Sequence, residues 1–223
     1  RIADALSQFL TLYWKPIVFT LAGIVVVIVA VFVYLQIQSA RANDAALAVE
    51  QLEEDYQGWL EAEEEQKGEL EEGVLSQVED IVDQYSGMYA AGRALMIRAG
   101  LHWENEAWAD AASDYKRVAD EYTDTHLGPV ALFNASAAEE AAGNAETAIE
   151  QINLLIERYS GEEPNPELAR ALFTRGRLNE EENNYDIAAE SYNRLVDDHP
   201  QSSWTNLARN RIIALKTRGL IEE

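Results

Sequence analysis

Apolar and polar positions follow two different patterns along the chain. Residues 17–35, IVFTLAGIVVVIVAVFVYL, form a run of 19 residues without a charged side chain. Beyond residue 42, apolar residues recur at intervals of three and four, which is typical of amphipathic helices. The first pattern predicts a helix long enough to cross a bilayer. The second predicts a domain made of helices.

Three sequence stretches beyond residue 42 align with one another. Each has an alanine, a large residue four places later and an aliphatic residue three places after that. The alanines are Ala111, Ala148 and Ala188, the large residues are Tyr115, Ile152 and Tyr192, and the aliphatic residues are Val118, Leu155 and Leu195. A weaker copy places Val74, Val78 and Ile81 at the same positions, so the copies are 37, 37 and 40 residues apart. This spacing predicts a helical repeat.

A second helix is predicted to precede each of these stretches. Twelve places before the alanines stand the small residues Ala99, Ser136 and Gly176. Small side chains let two antiparallel helices approach closely, so we expect each unit to be a helix pair. Pro200 ends the last pair, and residues 203–218 form an amphipathic helix that caps the array.

This order of small residue, alanine, large residue and proline resembles the tetratricopeptide repeat, with each unit extended in its turns. The resemblance covers about residues 42–218. It implies an α-solenoid, which the amphipathic helix at 203–218 would cap. With the transmembrane helix predicted from the apolar run, the expected fold class is all-α, an N-terminal transmembrane helix followed by a capped α-solenoid.

The apolar run also divides the chain into segments. We predict a cytoplasmic or interfacial segment at 1–15, a transmembrane helix at 16–36, an exit helix and acidic linker at 37–72, and the repeat domain at 73–223. A cleaved signal peptide is the alternative, but 19 apolar residues are long for one. Basic residues before the run favour a cytoplasmic N-terminus, so the repeats would be translocated into a bacterial periplasm or its equivalent. Because the chain opens on Arg1, we expect residues to precede it.

The exit helix and the acidic stretch after it carry separate expectations. Ala42, Val49 and Tyr56 recur every seven residues, which indicates either a short coiled coil or, as we favour, packing onto the repeat domain. Residues 61–73, EAEEEQKGELEEG, are predicted to be a solvated loop or a frayed helix end because they are so highly charged. The N-terminal segment places Ile2, Leu6, Phe9, Leu10 and Tyr13 on one face that suits a membrane interface.

Charge and composition narrow the classes of function. With 40 acidic and 17 basic residues, the net charge is −23, and nucleic-acid phosphates would be repelled. The chain lacks cysteine, and His102, His126 and His199 are too far apart for a helical metal motif. No catalytic or phosphate-binding motif is found in the sequence. We therefore expect no enzyme activity, no cofactor, no metal and no small-molecule substrate.

A partner surface is the remaining candidate site. In stacked two-helix repeats, the first helix of each unit lines the concave side, where peptides dock. Counting positions along the repeat predicts this partner-binding set: Arg93, Met96, Trp103, Phe133, Glu140, Arg170, Phe173 and Arg177. The hydrophobic members are equally compatible with a role in the core. The arginines suit backbone carbonyls or carboxylates of a partner.

The stretch DQYSGMYAAGRALMIRAG, through Gly87, Tyr89, Ala90, Leu95 and Ala99, is similar to the YfgM type of ancillary SecYEG translocon subunit. That resemblance implies a bacterial inner-membrane protein with its repeats in the periplasm. It would act as an adaptor or chaperone beside the protein-export translocon and a PpiD-like periplasmic chaperone, and would bind partner or client polypeptides through its repeats. The alternative is a structural scaffold of a large envelope machine, such as a flagellar motor collar or an outer-membrane assembly complex.

Overall fold

The computed structural model describes residues 2–161 and 166–222, with the side chains of 2–10, 12 and 17 left undescribed. Within these residues the chain forms α-helices and no strand. The helices are α1 (Ile2–Glu61), α2 (Glu64–Gln84), α3 (Tyr89–Glu104), α4 (Trp108–Glu121), α5 (Leu127–Ala141), α6 (Ala145–Tyr159), α7 (Pro166–Glu181), α8 (Tyr185–Asp198) and α9 (Ser203–Thr217). The predicted all-α solenoid is confirmed. Two compact units divide the chain, Arg1–Leu47 and Ala48–Glu223.

The first unit is the N-terminal part of α1. Its apolar side chains between Val18 and Ile37 are exposed. Among the described residues, this is the one helical segment long and apolar enough to cross a membrane, and a signal sequence meets the same criteria. The side chains of Ile2, Leu6, Phe9 and Leu10, predicted to lie at a membrane interface, are outside the described residues.

The second unit contains the helix pairs α3–α4, α5–α6 and α7–α8, and its core follows the predicted repeat. The alanines, large residues and aliphatic residues of all three copies are buried, and so are Val74, Val78 and Ile81. The small residues also meet the second helix as predicted. Ser136 on α5 donates a hydrogen bond of 2.8 Å to the carbonyl oxygen of Ala148 on α6. A Cβ built on Gly176 would lie 2.3 Å from the ring of Tyr192.

The turn inside each helix pair has one residue in the left-handed conformation. These residues are Glu106, Gly143 and Asn183, with φ of 56°, 84° and 62°. The amide of the next residue then donates to a carbonyl five places back, at 2.7 to 2.8 Å in each of the three turns. This is the Schellman arrangement, which satisfies carbonyl groups at a helix end. The turns therefore repeat with the same spacing as the core.

The region before the first pair differs from prediction in one respect. Residues 64–72 are helical, so the loop predicted for 61–73 is wrong for most of its length. Glutamate, glutamine and lysine are strong helix formers, and carboxylates in the first turn interact favourably with the helix dipole. Lys67 also pairs with Glu64 at 2.8 Å. The many charged residues thus keep this helix exposed to solvent but do not prevent it from forming.

The C-terminal part of α1 packs onto the repeat domain, in agreement with the favoured interpretation. Val49, Leu52 and Trp59 are buried. Gln77 on α2 donates to Asp55 at 2.5 Å. At the other end of the array, α9 occupies the predicted capping position and packs against α7 and α8.

Candidate protein-binding surface

The eight residues predicted to bind a partner all lie on the first helices of the three pairs. Arg93, Met96 and Trp103 are on α3, Phe133 and Glu140 on α5, and Arg170, Phe173 and Arg177 on α7. The structure brings some of them into contact and uses others for internal packing. Their role in partner binding stays a prediction.

The arginines are engaged within the chain. Arg93 pairs with Glu53 of α1. Arg177 donates to both carboxylate oxygens of Glu140, at 2.7 and 2.6 Å, and also pairs with Glu181 at 2.9 Å. These bonds raise the pKa of Arg177, the one from Glu140 most strongly. Arg93 and Arg177 thus connect different helices by ion pairs.

Arg170 and Phe133 form a stacked pair between α7 and α5. The Cζ atom of Arg170 lies 3.6 Å from the centroid of the Phe133 ring, and a guanidinium nitrogen lies 3.7 Å from a carboxylate oxygen of Glu167. A cation over an aromatic face is stabilised by the ring quadrupole. The pair holds the Arg170 side chain across the space between two repeats.

The stacked pair forms one wall of a depression of about 280 Å³, which we call the Tyr56 depression. Its lining residues are Tyr56, Gly100, Trp103, Glu104, Tyr115, Phe133, Asn134, Ala137 and Arg170. Three of the predicted residues, one from each of α3, α5 and α7, therefore meet at a single site. Trp103 is held there by an edge contact to Trp108, with ring centroids 4.8 Å apart.

Two predicted residues serve mainly in the core. Phe173 lies between Tyr192 and Trp204, with centroid distances of 5.7 and 5.2 Å. Met96 is partly buried and packs against two hydrophobic clusters of the core. Their side chains fill space between helices, so a partner would reach them only in part.

Sequence reasoning missed Tyr56, Glu104, Tyr115 and Asn134 as members of the site. Tyr56 was visible only as a heptad position, and Tyr115 as a core residue of the repeat. Burial raises the pKa of Tyr56, and the Glu104 carboxylate raises it further. Burial likewise raises the pKa of Tyr115 to about 12, with Tyr56, Glu104 and Asp114 adding to the shift. Both hydroxyls are therefore neutral near pH 7, and Glu104 is the acidic group of the depression.

The described residues contain no group of three or more metal-ligating side chains close enough to hold an ion. His102 lies 3.8 Å from Asp114, which already accepts two bonds from Arg98, at 2.7 and 2.6 Å. His126 is hydrogen bonded to the hydroxyl of Tyr89 at 2.6 Å. Aromatic rings, one carboxylate and one amide in an open depression suit recognition of a polypeptide side chain.

Comparisons with known proteins agree with the helix pairs. The model of the tetratricopeptide repeat-like domain family matches residues 7–157, and that of the tetratricopeptide repeat matches residues 170–202. A TPR repeat-containing protein of Treponema pallidum (strain Nichols) is 26% identical over 150 residues, which is 67% of this chain. The matched part spans 61% of that relative. Repeats of this kind are in general modules for protein–protein interaction.

Proposed function

The chain belongs to the tetratricopeptide repeat-like domain family, and from this premise we propose that it is a membrane-anchored adaptor that binds polypeptides of the export pathway. One observation carries the binding part of the proposal. Trp103, Phe133 and Arg170, from three successive first helices, line a single depression. A site assembled from three units has a fixed geometry only in the folded array, as expected for a recognition surface.

The anchor and the location are parts of the same proposal. The exposed apolar segment of α1 supports an anchor. The basic residues Arg1 and Lys15 before it favour an N-terminus in the cytoplasm and repeats in the periplasm. A tether would concentrate weak binding sites next to the membrane, where exported chains emerge. Alkaline carbonate extraction tests the anchor, since a cleaved signal sequence would leave the protein in the soluble fraction. Protease digestion of spheroplasts tests the orientation, and a protected repeat domain would contradict it.

The translocon is the proposed neighbour, because residues 83–100 resemble the YfgM type of subunit. The test is purification of the tagged full-length chain from its native membrane in mild detergent, followed by mass spectrometry. Translocon subunits together with a periplasmic PpiD-like chaperone are the expected result. A stoichiometric set of motor or outer-membrane assembly components would overturn it in favour of a scaffold.

Two matched variants test whether the co-purified partners bind at the Tyr56 depression. Asn134 is half-buried in the depression, so Asn134→Arg should block it and reduce recovery of the partners several-fold. Asn210→Arg adds the same side chain on the exposed side of α9 and should leave recovery unchanged. Equal recovery with both variants would contradict binding through this face.

A further inference from the structure

The Tyr56 depression combines ring faces with one carboxylate. Tyr56, Trp103 and Tyr115 contribute aromatic rings, and Glu104 stands beside them at the end of α3. Aromatic faces attract cations through their quadrupole. In the described part of the chain, Glu104 forms no ion pair with a basic side chain. The carboxylate is exposed and available to an incoming group.

The surroundings of the depression are acidic as well. Tyr56 also borders an adjoining open hollow of about 890 Å³. Glu50, Glu53, Glu54 and Glu61 line that hollow, and only Glu53 is paired with an arginine among the residues described. The whole chain carries a net charge of −23, so the long-range field has the same sign as the local one.

The basic member of the depression, Arg170, already has partners within the chain. Arg170 is stacked on Phe133 and lies 3.7 Å from Glu167. Asn134 also lines the depression and offers an amide group that can bond to a peptide backbone.

We propose that the Tyr56 depression binds a lysine or arginine side chain of a partner polypeptide, with the cation against the aromatic rings and paired with Glu104. A hollow of about 280 Å³ lies at the lower limit of small-molecule sites, which suits one long side chain. The methylene groups of such a side chain pack on apolar surface while its charge reaches a carboxylate. This inference rests on the proposed function and specifies the chemistry of its ligand.

The test uses three fluorescent peptides and the full-length protein in detergent. The peptides share the sequence Gly-Ala-Phe-Xaa-Ala-Gly, in which Xaa is lysine, Nε-acetyl-lysine or glutamate. Binding is followed by fluorescence anisotropy at about 0.15 M salt, where the Debye length of about 8 Å suppresses long-range attraction. We expect the lysine peptide to bind roughly tenfold more tightly than the acetylated one, from the combined cation–π and ion-pair contacts.

Variants test whether Glu104 is responsible for the preference for the lysine peptide. Glu104→Gln should abolish most of the tenfold difference, whereas Glu182→Gln removes the same charge from an exposed turn outside the depression and should preserve it. Glu104→Lys should make the glutamate peptide the tightest ligand. Both positions are exposed, so folding should be unaffected, which circular dichroism checks.

The outcomes separate this inference from the proposed function. If the peptides bind equally well, or if the lysine preference survives Glu104→Gln, the cation site is wrong while polypeptide binding stands. If no peptide binds to the wild-type protein and Asn134→Arg leaves partner recovery unchanged, the proposed binding face is wrong and the inference is wrong with it.

Discussion

Arg177 on α7 donates to both carboxylate oxygens of Glu140 on α5, at 2.7 and 2.6 Å. The two residues lie 37 places apart, on the first helices of successive units. Both residues were predicted to contact a partner protein, yet the guanidinium of Arg177 and the carboxylate of Glu140 bond to each other. The pair joins two repeats side by side, and a bidentate bond of this type also fixes their relative orientation.

Breaking this pair should lower the stability of the array. We expect Arg177→Met to reduce the free energy of unfolding by about 1 kcal/mol, because both side chains are about one third exposed and solvent screens the attraction. Urea unfolding of the full-length protein in detergent, followed by circular dichroism, measures the change. In a double-mutant cycle with Glu140→Gln, a coupling energy near zero would show that the pair contributes nothing.

The two glycines Gly176 and Gly68 should respond oppositely to the same substitution. Gly176→Ala places a methyl group 2.3 Å from the Tyr192 ring and should destabilise the domain by roughly 1–3 kcal/mol. Gly68 lies inside α2 with no atom within 4 Å of an added Cβ. Gly68→Ala should therefore stabilise the protein by up to about 1 kcal/mol. Shifts of the same sign in urea unfolding would contradict the packing of α7 against α8.

The left-handed turn residue Glu106 lies where the equivalent position of the next unit has Gly143. A side chain at positive φ is strained, and glycine relieves the strain. Glu106→Gly should raise the free energy of unfolding by about 0.5–1 kcal/mol. Glu182 lies one place before the left-handed Asn183, so Glu182→Gly gains no such relief and should be destabilising. Thermal unfolding of the two variants compares these effects directly.

Because the pKa of Tyr115 is raised, we expect the free energy of unfolding to fall at alkaline pH. Its pKa is raised to about 12 in the folded protein, mainly by burial, from 10.0 for an exposed tyrosine. Between these pH values the unfolded chain holds fewer protons than the folded one, so stability falls as the pH rises. The contribution is complete below about pH 10 and is lost as the pH passes 12. Urea unfolding at pH 9 to 11.5 should show a smaller decline for Tyr115→Phe, and an equal decline would refute the burial effect.

The repeat register was predictable because it depends on local spacing. Ala111, Ala148 and Ala188 are fully buried, and Ser136 and Gly176 contact the second helix of their own unit. Small and large residues at fixed intervals determine which faces of two consecutive helices can meet. The loop predicted for the acidic stretch 61–73 was wrong because a high density of charged residues predicts only that a segment is exposed to solvent. Whether the segment is helical depends on the helix propensity of its residues.

The sequence by itself thus determined the helix pairs, their buried faces and the apolar N-terminal segment. Only the tertiary structure decided that Arg177 would bond to Glu140 and that Tyr56 and Glu104 would share a depression with Arg170. These residues are far apart in the chain and belong to different helices. The physical reason is that periodicity specifies only which side of a helix is buried. Which residues of two different units meet depends on how each helix pair is rotated and shifted relative to the next pair. That rotation and shift are set by the combined packing of all the side chains between the pairs.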